Sequence, residues 1–103
     1  MDKVFLFTTT WCPHCKAAKE KLKDKIEKGE IEVIEVDKDE FGEKVADALG
    51  IYAVPTFVVA KDDGTACVID HDTDGNVRAM CKVPKDEKGC VYNLLNKTVK
   101  CKR

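Results

Sequence analysis

Apolar residues fall in short blocks separated by charged ones, and the spacing within each block predicts its element. Val4 to Phe7, followed by Thr8 to Thr10, is an apolar and β-branched run suited to a strand buried on both faces. From Pro13 onward Ala17, Ala18, Leu22 and Ile26 recur at helical spacing between lysines and glutamates, and Gly29 closes the pattern, which predicts one helix of about four turns. Ile31, Val33, Ile34 and Val36 form a second strand that leads out through Asp37. Phe41, Val45, Ala48 and Leu49 mark a second amphipathic helix, which stops at Gly50. The order strand, helix, strand, helix, with short connections, is a βαβ unit with a parallel strand pair.

After "IYAVP", "TFVVA" reads as a third strand, and "KDDGT" turns it into "ACVID" as an antiparallel neighbour. "VRAMCKV" extends the meander beyond the turn "HDTDGN", where His71 reads as a solvated turn residue. Pro84 to Gly89 reads as polar loop. Val91, Leu94, Leu95 and Val99 sit at helical spacing, yet Asn93, Asn96 and Thr98 are indifferent helix formers, so helix and hairpin both stay open for the last segment.

The 103 residues fit one domain, 1–103, in which 66–103 is a cysteine-rich C-terminal part. At 44% hydrophobic and 36% charged, the chain is globular in composition. Eighteen basic against nineteen acidic residues leave a net charge of −1, so nothing argues for nucleic acid or a membrane as partner. The start "MDKVFLF" holds too short an apolar run for a signal peptide or a span, which places the chain in the cytoplasm as an expectation. Six cysteines are unusual there outside hyperthermophiles, an exception that the charge content fits.

Two of the six carry the chemistry. Cys12 and Cys15 stand where the first strand hands over to the first helix, and at i and i+3 their sulfurs can close a small disulfide ring. Free N–H groups and the helix dipole favour the thiolate of Cys12, which makes it the nucleophile and Cys15 the resolving thiol. Pro13 suits the first helical position, and His14 would tune the thiolate further and with it the direction of electron flow. Zinc is the rival for this spacing, but no second CxxC or CxxH completes a four-ligand set, so no metal is assigned. A crosslink across four residues would constrain little, which leaves redox exchange.

"WCPHC" after a strand, with "AVPTFVV" some forty residues later, resembles the thioredoxin and glutaredoxin superfamily, most closely its short archaeal members. The likeness covers about residues 3–70. It implies a thioredoxin fold: a mixed four- to five-stranded sheet flanked by helices, with a parallel core and an antiparallel meander at one edge. It also implies a cis Pro55 beside the sulfurs, Val54 offering backbone groups to a substrate chain, and Trp11 lining the surface beside Cys12. The implied activity is thiol–disulfide exchange with protein disulfides, most naturally as a reductant, or as an oxidase or isomerase of the same fold. Beyond the Cys12–Cys15 disulfide no cofactor is needed, and the chain would act as a monomer with a partner reductase. Thioredoxins proper carry a buried acid where this chain has Leu6, so proton handling at Cys15 would pass through water or a nearby lysine. Ala53 in place of a threonine, and no glycine pair, count against glutathione dependence, with Asp70 and Asp72 left as candidate contacts.

Cys67, Cys81, Cys90 and Cys101 allow three pairings. A hairpin centred on Asp74 would place Cys67 opposite Cys81, close enough to bridge. Cys90 and Cys101 could bond across a hairpin but not along one helix, where rise would hold them about 16 Å apart. A zinc site of all four, free thiols and a second redox relay are the alternatives. A metal-binding module and a redox-silent interaction domain are the readings from other functional classes.

Overall fold

The computed structural model describes residues 2–71 and 74–101. Its elements run β1 Lys3–Thr8, α1 Pro13–Lys21, α2 Lys23–Glu27, β2 Ile31–Glu35, α3 Glu40–Leu49, β3 Thr56–Ala60, β4 Ala66–His71, β5 Val77–Lys82, β6 Cys90–Asn93 and β7 Thr98–Cys101. Five strands form one sheet in the order β2-β1-β3-β4-β5, and β6 and β7 form a separate hairpin.

β1 is the inner strand that its sequence predicts, with Phe5, Leu6, Phe7 and Thr8 all buried. It pairs parallel with β2 (Leu6 opposite Val33) and antiparallel with β3 (Leu6 opposite Phe57). The expected parallel core is therefore a single parallel pair, and every other pairing in the sheet is antiparallel. The reason lies in the connections: one crossover, through α1 and α2, separates β1 from β2, whereas Gly64 and the turn before Val77 fold β3, β4 and β5 back on one another.

The predicted four-turn helix is two. Leu22 steps out of helical dihedrals while its N–H still bonds Ala18 O at 3.0 Å and its carbonyl accepts Ile26 N–H at 2.9 Å. The ladder runs through the step, and no proline or glycine marks it, so periodicity reads straight across. α1 and α2 cover the face of β2 that carries Val33, where Lys19 pairs with Glu35 at 3.2 Å. α3 lies on the opposite face, so close that a Cβ on Gly42 would collide with Ile34 Cγ2. There Phe5, Phe7, Ile34, Val58, Val45, Ala46 and Leu49 form the main core, joined by Tyr92 and Leu94.

The C-terminal segment is a hairpin, not a helix. Tyr92 and Leu94 are buried at a spacing of two, Asn93 Oδ1 accepts Leu95 N–H at 3.0 Å, and Lys97 takes φ 55°, which turns the chain back. The segment read as polar loop is partly buried: Pro84 is among the most buried side chains, and its carbonyl accepts Tyr92 N–H at 2.9 Å. His71, read as a turn residue, is the last residue of β4, and Asp72 lies outside the described residues.

Candidate active site

The dithiol sits at the C-terminal end of β1, where α1 begins. Cys12 is the N-cap of α1, in extended geometry at φ −87° and ψ 118°, with Pro13 in the first turn. Serine, threonine, aspartate or asparagine usually fills this role by accepting from the exposed amides of the first turn. Here sulfur does so, since Cys15 N–H donates to Cys12 Sγ at 3.3 Å. The Cys12 thiol in turn donates to Val54 O at 3.9 Å, which brings the segment before β3 against the nucleophile candidate. The Val54–Pro55 peptide bond is cis.

The two sulfurs are in opposite electrostatic situations. Cys12 is 8% exposed, and its pKa is lowered, first by the hydrogen bond with the Cys15 side chain, then against burial by the N–H groups of Cys15 and His14 and the hydroxyl of Thr9. Cys15 is fully buried, and burial first, then the neighbouring Cys12, pushes its thiol up. The Lys19 charge acts the other way on Cys15, as the smallest of these influences. Ionisation is thus favoured at Cys12 and disfavoured at the more deeply buried Cys15.

Trp11 is 73% exposed beside the motif. His14 is exposed, and the group it turns toward Cys12 is its backbone N–H. The loops carrying the site are tied together: Thr10 N–H donates to both Asp37 carboxylate oxygens at 3.2 Å and its hydroxyl bonds Asp37 Oδ2, which holds the Asp37 carboxyl below its usual range. Thr9 and Tyr52 escaped the sequence reading. Tyr52, 87% exposed two residues before Val54, lines a groove beside α3 and not the dithiol; Thr9 gave no signal, being one of three identical residues.

A family model described as Glutaredoxin matches residues 4–63, more than half of the 103. The chain belongs to the glutaredoxin family. Within that family its five-stranded mixed sheet with helices is a thioredoxin-like fold, and membership supports a function of thiol–disulfide oxidoreductase type. No curated protein and no solved structure matches the chain. The match spans β1 through β3 and stops before β4, so the remaining four cysteines lie outside it.

Those four are two disulfides, Cys67–Cys81 and Cys90–Cys101. Each joins residues directly opposite in its hairpin. The zinc alternative built from these four thiolates fails here because each sulfur is already bonded. For Cys67 and Cys81, direct contact with the dithiol is ruled out by distance. Cys67 and Cys81 share the rung of Val59 and Val4, three rungs, or about 10 Å, from the Phe7–Thr56 rung, and the dithiol lies beyond that. A groove between α3 and the β6–β7 hairpin, with Phe41, Tyr52 and Tyr92 in its wall, is not where the dithiol sits. A reaction between sulfurs of two proteins requires an exposed edge rather than a deep cavity.

Proposed function

We propose that this protein exchanges its Cys12–Cys15 dithiol with disulfides of other proteins, acting as a reductant. The single observation that carries exchange itself, in either direction, is the pair of opposed environments: Cys12 with lowered pKa at the helix start, Cys15 with raised pKa fully buried behind it. The Cys12 thiolate attacks one sulfur of the substrate disulfide, and a Cys12–substrate bond forms as the substrate S–S bond breaks. The departing substrate thiolate takes a proton from solvent. Cys15 then gives up its proton and attacks Cys12 Sγ, which closes the Cys12–Cys15 disulfide and releases the second substrate sulfur. Two electrons and two protons have passed to the substrate, and a partner reductase in the cytoplasm restores the dithiol. Trp11, Val54 and Pro55 form the surface that the substrate chain meets, and the protein works as a monomer without an organic cofactor.

A second reading, oxidase or isomerase, is favoured by one observation: the chain carries two disulfides of its own alongside a stabilised Cys12 thiolate, and a stabilised thiolate makes its disulfide a better oxidant. The reduction potential separates the two. Equilibration in defined thiol buffers, with Cys12→Ser as control, should give a value near roughly −270 mV for a reductant; roughly −120 to −180 mV would assign the oxidase or isomerase role. Absence of a reversible two-electron couple would end both.

A further inference from the structure

Thr8, Thr9 and Thr10 carry the chain from β1 to the N-cap, and their hydroxyls are used unequally. Thr8 Oγ1 donates to Ile34 O at 3.3 Å, and Thr10 Oγ1 donates to the Asp37 carboxylate. Thr9 is 7% exposed, and its Oγ1 is the one buried side-chain oxygen or nitrogen among the described residues that has no hydrogen-bond partner. Natural structures leave few such groups, because a buried hydroxyl without a partner loses its bond to water and gains nothing.

The hydroxyl is unpartnered beside the reacting atoms. The side chain of Thr9 lies near enough to favour ionised Cys12 although no bond between them is formed, while its backbone favours ionised Cys15, so one residue borders both sulfurs. In the dithiol Cys12 already has its bonds: its S–H donates to Val54 O and its sulfur accepts Cys15 N–H. Loss of the proton removes the donor and leaves a sulfur that can only accept. We infer that Thr9 is a positioning residue whose hydroxyl turns to donate to Cys12 Sγ when Cys12 ionises, so that the bond absent from the dithiol is made in the attacking thiolate. The other titratable groups facing the pair are Cys15 itself and Lys19, which is engaged by Glu35; Asp37 is held by Thr10, and the His14 side chain is on the exposed side.

The inference rests on the exchange reading above, and one experiment separates their failures. Alkylation of Cys12 by iodoacetamide is followed from pH 4 to 10 on the full reduced chain, read by mass spectrometry at the peptide that carries Cys12. The variants are Thr9→Val, which keeps shape and removes the hydroxyl, and Thr9→Ser, which keeps the hydroxyl. The expected result is an alkylation rate about tenfold lower for Thr9→Val on the acid limb, the effect of one pKa unit. Thr9→Ser should stay within about threefold of wild type. A tenfold weaker preference for the reduced form would also move the potential down by about 30 mV in Thr9→Val. Should thermal unfolding show Thr9→Val unfolded, Thr9→Ala makes the same comparison without the branched side chain. A Thr9→Val profile superimposable on wild type overturns the role of Thr9, as does failure of Thr9→Ser to restore it. If wild-type Cys12 itself titrates near 8.5, the exchange reading falls, whatever Thr9 does.

Discussion

Cys12 and Cys15 are the same amino acid three positions apart, and the fold gives them opposite environments. Cys12 faces amide donors of the first turn; Cys15 is one turn deeper, where burial outweighs the Thr9 backbone and the Lys19 charge that favour its ionised form. Removing either sulfur should therefore fail at a different step. Cys12→Ser leaves no nucleophile, and exchange should drop to the level of the buffer. Cys15→Ser keeps the attack but has no thiol to resolve it, so a covalent adduct with substrate should accumulate, visible as a shifted band on a non-reducing gel and released by dithiothreitol. Equal inactivity of both variants without an adduct would reverse the assignment of roles. The placement of the two thiols was legible in the sequence, because strand, CxxC and helix in that order put Cys12 at the helix start and Cys15 one turn in. Thr9 was not: burial of one hydroxyl among three depends on how β1 ends against Ile34 and Asp37, and no spacing rule encodes it.

At the level of elements, the C-terminal hairpin depends on one carboxylate. Asp86 accepts Lys88 N–H at 2.9 Å, Cys90 N–H at 2.8 Å and the Tyr92 hydroxyl at 2.8 Å, and so binds turn, strand and core aromatic together. These bonds, that from Cys90 first, hold its carboxyl below the usual aspartate range. A depressed folded pKa means that Asp86 stabilises the protein above its unfolded value near 3.9 and that this support is lost as pH falls through the folded value. Asp86→Asn should then lower the thermal midpoint at pH 7, and the gap to wild type should shrink in acid as the wild-type carboxyl protonates. A gap constant down to pH 2 would show that the carboxylate charge contributes nothing. The same residues explain why the sequence left this region open. Leu94 and Leu95 lie in the turn and yet pack on the core, so a tight hairpin loop with apolar residues presents helical spacing. Asp86 and Pro84 sat in a stretch whose polarity suggested only loop. The parallel pair, β3 and β4 were legible because each alternates or clusters apolar residues over a strand's length.

Across the whole molecule, the two disulfides are alike in sequence span and unlike in what they hold. Cys67–Cys81 closes 14 residues and Cys90–Cys101 closes 11, for which loop entropy alone suggests roughly 3 kcal/mol each. Yet every residue of β5 is exposed, whereas β6 brings Tyr92 into the core and is followed by buried Leu94. An edge strand that buries nothing can open without the rest, and opening of that kind has a lower free energy than global unfolding. The Cys67→Ser/Cys81→Ser protein should therefore lose amide protection along Val77–Lys82 while its thermal midpoint changes little and β1 and β3 exchange as before. The Cys90→Ser/Cys101→Ser protein should lose about 2–4 kcal/mol globally, since freeing β7 loosens the strand that carries Tyr92. Neither pair should alter the reactivity of Cys12, from which Cys67 and Cys81 are separated by at least three rungs of sheet. Hydrogen exchange read strand by strand, together with Cys12 alkylation, tests all of this on the same samples. Equal global destabilisation by both pairs would mean that β5, despite its exposure, unfolds only with the core.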